Sequence, residues 1–273
     1  MPVRQWELLV VDNASEVPLA GRIDLSWHPS ARLFREEKLG LTPARLRGIR
    51  EAAGNLLVFV DDDNVLAPDF LSRTLRVAEE KSFLGAWSGQ CHPGFERPPP
   101  EWTRRYWGNF PIREFTRDVW SNLPRLSETM PCGAGLCVRR NVAQQYLFLH
   151  ESGKRAFQFD RAGTSLLSGG DNDLAACACD IGLGVALTAS LELTHLIPPA
   201  RLTEEYLARL LEGIYFSTVV LAHLRSSPAE LASYRVRWHE YLGALMAGGP
   251  HRRIRTACLR GRRRGLAYVD SLG

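Results

Sequence analysis

The sequence predicts an α/β fold: a mixed, mainly parallel sheet flanked by helices, followed by a C-terminal helical extension. Three observations carry this. Apolar runs of strand length alternate with helical periods between Trp6 and Lys81. These strands run into helix-forming segments rather than hairpin turns. From Thr203 onward the apolar spacing becomes purely helical.

Trp6–Val11 reads as a strand ending at Asp12-Asn13-Ala14-Ser15, a turn whose side chains accept hydrogen bonds from a ligand or from the following amides. Thr42 to Ala53 reads as a helix, with Thr42 as N-cap, Pro43 at the first helical position and Gly54 as the stop. Leu56–Val60 has no polar member, the pattern of a strand buried on both faces. Pro68 to Lys81 completes the strand, helix, strand, helix order that specifies right-handed crossovers. Ligands of such sheets bind beyond the carboxyl ends of the strands. Asp12 and the run Asp61-Asp62-Asp63 both stand at such ends.

Cys91 to Leu126 holds Trp102, Tyr106, Trp107, Phe110 and Trp120 among prolines. A hydrophobic cluster is the favoured reading, and stacking platforms for sugar faces are the competing one. Met130–Arg140 contains Gly133 and Gly135, where backbone comes close to a ligand or to another strand. Gly169-Gly170-Asp171-Asn172-Asp173 opens an apolar helix, so Asp171 reads either as a helix cap or as a general base. Val185 to His195 is a strand pair or one bent strand. Thr203–Leu224 and Ala229–Ala247 are helices separated by Ser226-Ser227-Pro228. The expected domains are residues 1–202 and a helical segment, 203–273, with a basic tail.

The 273 residues are 45% hydrophobic and 23% charged, which excludes wholesale disorder and fibrous repeats. A net charge of +4 is compatible with an anionic substrate and decides little else. The six cysteines show no CxxC pair or zinc spacing, which favours reduced thiols and a cytoplasmic location. No signal peptide precedes the first strand, and the apolar stretch around Ile214–Leu224 falls short of a membrane span, so the chain reads as soluble or peripheral. Between His251 and Arg264 stand seven arginines. Such a run reads first as a solvated end, with peripheral contact to anionic membrane as the functional alternative. Nucleic acid is disfavoured, because no groove-reading motif accompanies the charge.

Three adjacent carboxylates repel one another, and their burial requires a cation or donors. Mg²⁺ or Mn²⁺ carrying a phosphorylated ligand answers this, since such ions take one or two protein carboxylates and complete their shell with water and phosphate. A solvated acidic turn, capped by Asp63 or Asn64, is the competing reading. His195 alone reads as a structural histidine. Beside Asp61 and Asp63 it completes an oxygen and nitrogen set acceptable to Mn²⁺ and less typical of Mg²⁺.

The ordered set Val11-Asp12-Asn13-Ala14-Ser15, Gly40-Leu41-Thr42-Pro43-Ala44-Arg45, Phe59-Val60-Asp61-Asp62-Asp63, Gly133-Ala134-Gly135-Leu136, Gly169-Gly170-Asp171-Asn172-Asp173-Leu174 and His195 resembles a family 2 glycosyltransferase of the GT-A fold. The resemblance runs from about Glu7 to about Leu202. It implies that Asp12 contacts the nucleotide base and that Asp61 with Asp63 binds nucleotide and metal, Asp63 being the direct ligand. Asp62 supports them, and Arg45 and Gly135 fall in the nucleotide-sugar-binding motifs. Asp171 matches the general base, and His195 a histidine that completes the metal site. The implied chemistry is inverting transfer from a nucleotide-diphosphate sugar, UDP-sugars being favoured, to a glycan or lipid-linked hydroxyl in polysaccharide or envelope synthesis.

Two departures accompany the resemblance. Gly170 stands where the family has Glu before the catalytic Asp. The family's opening strand and helix, about thirty residues on the scale of βαβ units, have no counterpart before Trp6. Either Met1 lies downstream of the natural start or a strand has been lost from inside the sheet, and what occupies the position beside the Trp6–Val11 strand distinguishes the readings. The alternative reading is a catalytically silent nucleotide-sugar-binding protein derived from such an enzyme.

Overall fold

The computed structural model describes residues 1–124, 128–225 and 228–272. Leu126, at the end of the aromatic stretch, and Ser226-Ser227 of the predicted break lie outside them. The chain forms two compact units. The first comprises Met1–Gly94, Pro111–Gln158 and Gly170–Leu196; the second comprises Phe95–Phe110, Phe159–Gly169 and Ile197–Gly273.

In the first unit, β1 (Leu8–Asn13) pairs in parallel with β2 (Ala31–Glu36), and α1 (Leu41–Glu51) follows. These two strands form a sheet of their own. The larger sheet contains β3 (Leu56–Phe59), β4 (Asn64–Leu66), β5 (Leu84–Phe95), β6 (Val119–Ser121), β7 (Leu136–Arg139) and β8 (Gly184–Ile197). Its order is β3-β7-β5-β8-β4, with β6 also on β8. Around it lie α2 (Phe70–Glu80), α3 (Arg140–Glu151) and α4 (Gly170–Asp180).

The mixed α/β class agrees with the sequence, but the balance of strand directions differs. β7 runs antiparallel to both β3 and β5, and β8 runs antiparallel to both β4 and β6. The reason is that β7 arrives after the long excursion from residue 96 to 135 and inserts between β3 and β5 against their direction. Among the described residues no strand pairs with the second edge of β1, and β3 pairs only with β7. On that edge the position beside the Trp6–Val11 strand therefore holds no paired strand among the described residues. The single pairing of β3 corrects the expectation for Leu56–Val60: β3 is an edge strand, so only Leu57 is buried and Val60 is exposed.

Both faces of the larger sheet are covered, and the period-2 alternation of strands distributes the side chains between them. Leu136 and Val138 of β7 and Ala86 of β5 join Ile49, Val142, Tyr146 and Leu174 in one core. Cys137 and Trp87, one residue out of phase, join Phe70, Val77, Leu191 and Leu193 in the other.

Several boundaries moved. α1 starts at Leu41, one residue before the expected cap, because Asn13 Oδ1 accepts the Gly40 N–H at 2.7 Å and fixes the entry of the chain. Val185–His195 belongs to one fourteen-residue strand, β8.

The second unit is mainly helical: α5 (Glu204–Leu224), α6 (Pro228–Ser233), α7 (Trp238–Leu245) and α8 (Pro250–Asp270). Thr203 caps α5 by accepting the Tyr206 N–H at 3.2 Å, as Ser/Thr caps do. The single helix expected over Ala229–Ala247 is two, because Arg237 starts a new capping box with Glu240. By length and composition α5 is the one described helix long and apolar enough to cross a membrane, contrary to the sequence expectation. It packs along α8 at close quarters. A Cβ at Gly261 would stand 2.3 Å from the Glu212 carbonyl oxygen. The basic tail is thus one face of a packed helix, which buries Ile254, Ala257 and Leu259 and leaves most of the arginines exposed to solvent. The aromatic stretch is largely a cluster, as expected: Phe95 packs on Trp107 at 4.8 Å, and Tyr106 and Phe110 are buried. Trp120 is the exception, exposed and packed at a tilt against Phe83 with ring centres 4.8 Å apart.

Candidate active site

Strand register assembles the site at one end of the larger sheet. The pairing Phe59↔Leu136 sets Val60–Asp63 alongside Gly133–Gly135. The pairing Asn64↔His195 brings the histidine beside the end of the aspartate run. The Leu196 N–H donates to the Asp63 carbonyl at 2.8 Å and locks that approach.

Asp63 and His195 therefore meet. His195 Nε2 stands 3.4 Å from Asp63 Oδ2, and the imidazole is buried. Asp63 Oδ1 accepts from Asn64 Nδ2 at 2.7 Å. Asp62 is exposed, while Asp61 and Asp63 are half-buried. Alternation along the chain turns the middle carboxylate away from its neighbours.

Could this pair hold Mg²⁺ or Mn²⁺? Neighbouring ligands on an octahedral ion lie roughly 3 Å apart when metal–oxygen lengths are about 2.1 Å. A carboxylate oxygen and an imidazole nitrogen at 3.4 Å need little adjustment to become such neighbours. Among the described residues no cluster of three or more His, Cys, Asp or Glu exists. The donor set thus fits an ion that takes few protein ligands and completes its shell with phosphate and water, and not a closed structural site.

Asp171 lies in the first turn of α4. Its Oδ2 accepts the Gly133 N–H at 2.7 Å and its Oδ1 accepts the Asn172 N–H at 2.9 Å. Arg45, buried in α1, completes the group: a Cβ on Gly133 would lie 2.8 Å from Arg45 Nη2 and 3.1 Å from Asp171 Oδ2. Gly133 is therefore the glycine this site requires. Gly135 serves packing instead. Its φ is +64°, and a Cβ there would meet Leu193 at 2.6 Å and Phe70 at 3.0 Å, so its missing side chain makes room for core and not for a ligand.

Two buried thiols, Cys91 and Cys132, lie near enough to Asp63 and Asp171 respectively to feel their charge. Burial pushes Cys91 up to about 12, with Cys132 and Asp63 adding to the rise. Burial also raises Cys132, with Arg113 opposing and Asp171 adding. Both stay protonated and neutral, and none of the six cysteines forms a disulfide.

Asp12, the penultimate residue of β1, is buried, but its carboxylate is engaged by its own chain. Oδ1 accepts the Ser15 N–H at 3.1 Å, Oδ2 accepts the Leu19 N–H at 3.0 Å, and Arg35 Nη1 pairs with Oδ2 at 3.0 Å. Ala14 takes a left-handed φ of 52° to close this turn. The Ser15 hydroxyl first, then the Leu19 amide, and with them the Ser15 amide and Arg35, hold Asp12 down to about 2.

One structural device went unread in the sequence. Asp173, fully buried, pairs with Arg155 Nε at 3.0 Å. It anchors the start of α4 and so the placement of Asp171. A lone arginine in a loop eighteen residues upstream carries no pattern that marks the pairing.

Carboxylates, a histidine and a buried arginine thus gather at strand ends of an α/β sheet, where such folds place their ligands. The chain belongs to glycosyl transferase family 2, whose family model matches residues 2–146, just over half of the 273. That match includes Asp12, Arg45, Asp61, Asp62, Asp63 and Gly135; Asp171 and His195 lie beyond it and reach the site through the fold.

No curated protein matches the sequence. Solved structures resemble the fold, among them the following three. The chain aligns over 100% of its length with a mannosyltransferase, PcManGT from Pyrobaculum calidifontis, in complex with GDP-Man and Mn²⁺, at 18% identity and TM-score 0.49, covering 68% of that chain. It aligns over 99% of its length with S. aureus TarS at 14% identity and TM-score 0.48, covering 84% of that chain. With GalNAc-T7 bound to UDP, GalNAc and Mn²⁺, 100% of the chain aligns at 13% identity and TM-score 0.48. The chain spans about half the length of that protein, 52%. At such scores these likenesses add no weight to the family match.

Proposed function

We propose that this chain is a metal-dependent inverting glycosyltransferase acting on a nucleotide-diphosphate sugar, with UDP-sugars the first to test. The observation that carries the reading is the Asp63–His195 pair at 3.4 Å, placed at the same sheet end as Asp171. Asp63 and His195 would hold Mn²⁺ or Mg²⁺, which when bound neutralises the charge of a departing diphosphate. Arg45, fixed beside Gly133, adds permanent positive charge on the same side as the donor. Asp171 takes the acceptor hydroxyl proton as that oxygen forms its bond to the anomeric carbon and the diphosphate leaves. The Gly133 N–H holds the Asp171 carboxylate in place and leaves lone pairs on its oxygens for that proton.

The acceptor in this reading is a glycan or lipid-linked hydroxyl of polysaccharide or envelope synthesis. The protein works in the cytoplasm, peripheral at the inner face of the membrane, with the arginines of α8 providing the contact. One observation favours the silent-binder alternative: the Asp12 carboxylate is already committed to Ser15, Leu19 and Arg35. A panel of nucleotide sugars with Mn²⁺, followed by thermal stabilisation and turnover, decides between them. Turnover that disappears in Asp171→Asn while donor binding persists supports the enzyme. Donor binding with no turnover in the unmodified chain supports the binder, and no donor binding at all overturns both.

A further inference from the structure

We propose that α7 is a membrane-surface anchor, laying an apolar strip flanked by arginines onto an anionic lipid interface. This deepens the peripheral contact above and moves its centre from the arginine run of α8 to α7.

The strip is explicit. Trp238, Leu242, Leu245 and the C-cap residue Met246 stand at helical spacings i, i+4, i+7 and i+8, which places them on one face. All four are exposed, Trp238 at 74% and Met246 at 85%. The opposite face is committed to the unit: Ala244 is buried, and Glu240 pairs with Arg262 and accepts the Arg237 N–H. Four large apolar side chains together on one exposed helix face mark an interaction surface.

The surroundings select the partner. Arg255 Nη1 donates to the Gly243 carbonyl at 3.2 Å on one flank of the strip. On the other, Tyr241 lines a groove of about 380 Å³ with Arg260, Arg263 and Arg264. Trp238–Asp270 carries seven arginines against Glu240 and Asp270 alone. Arg260 and Arg264 share Glu212, whereas Arg252, Arg253 and Arg263 are exposed. A second copy docking through the same face would bring two such arginine sets together, which like-charge repulsion opposes. An anionic lipid surface accepts both features, taking tryptophan and leucine at headgroup depth and pairing the arginines with phosphates. An eight-residue helix lies on such a surface and does not span it.

Co-sedimentation of the full chain with phosphatidylglycerol and with phosphatidylcholine vesicles tests this. The chain is expected to bind the anionic vesicles at low salt and the neutral ones weakly. The triple variant Trp238→Ser/Leu242→Ser/Met246→Ser should lose about tenfold or more in anionic partitioning. Arg252→Gln/Arg253→Gln/Arg263→Gln should lose on the order of a hundredfold at low salt, at roughly fivefold per arginine. These positions are exposed, so unchanged circular dichroism and melting confirm that each variant folds. Brominated-tail lipids should quench the tryptophan emission, and Trp238→Leu should keep the binding and lose that quenching.

Binding that survives the apolar triple variant but not the arginine variant overturns the α7 anchor and leaves a purely electrostatic contact through α8. Absence of wild-type binding at low salt overturns both. A dimer in solution that the apolar variant dissolves assigns the strip to a second copy and overturns the lipid assignment. Turnover with a soluble acceptor is read separately, so the transferase reading stands or falls by itself.

Discussion

Asp12 and Asp63 both follow an apolar strand, and both sit where an α/β sheet places its ligands, yet the molecule uses them in opposite ways. Asp12 satisfies its own loop: two backbone amides and Arg35 occupy its oxygens. Asp63 accepts from Asn64 and faces a histidine across 3.4 Å at a strand-paired position, the arrangement that the proposed function assigns to a cation. Position at a strand end is therefore not enough to define a ligand site. What each oxygen already accepts decides the matter.

The largest effect should come from Asp63→Ala. Removing the carboxylate that would hold the ion lowers kcat on the order of 10³-fold, as measured by turnover at saturating donor. Next is His195→Ala, expected to raise the half-saturating Mn²⁺ concentration by about ten- to a hundredfold, read from metal titration of turnover. Asp12→Ala should behave differently, lowering the melting temperature while the half-saturating Mn²⁺ concentration stays as in the unmodified chain. A large shift in metal requirement there would erase the contrast between the two aspartates.

The smallest effect is a pH dependence. Asp12 titrates near 2 in the folded chain against an ordinary 3.8. The unfolded chain takes up that proton first as pH falls, so the contribution of Asp12 to stability is complete above 3.8 and is lost toward pH 2. Melting temperatures measured from pH 5 downward should fall more steeply for the unmodified chain than for Asp12→Ala.

Much of the site was legible because it depends on residue types at strand ends. The Asp61–Asp63 run, the histidine after an apolar strand and the aspartate opening an apolar helix all announce themselves, and the structure brings Asp63 to His195 and Asp171 to Gly133. What the residues could not show were partners fixed by tertiary register. Gly133 and Gly135 look equivalent in sequence, but only the backbone direction reveals that one faces Asp171 and Arg45 and the other faces Phe70 and Leu193. The Arg155–Asp173 pair was hidden for the same reason. Strand direction was misjudged because local alternation reports which elements form and not where β7, after a long excursion, inserts. The split between α6 and α7 escaped because helical spacing continues through residues 234–237, while capping by Glu240 restarts the helix.

Isothermal calorimetry of UDP binding, with and without Mn²⁺, in the unmodified chain and in Asp63→Ala, tests the central claim most directly. The account predicts binding that requires the metal and disappears in the variant. UDP binding that is independent of Mn²⁺ and unchanged by Asp63→Ala would contradict it.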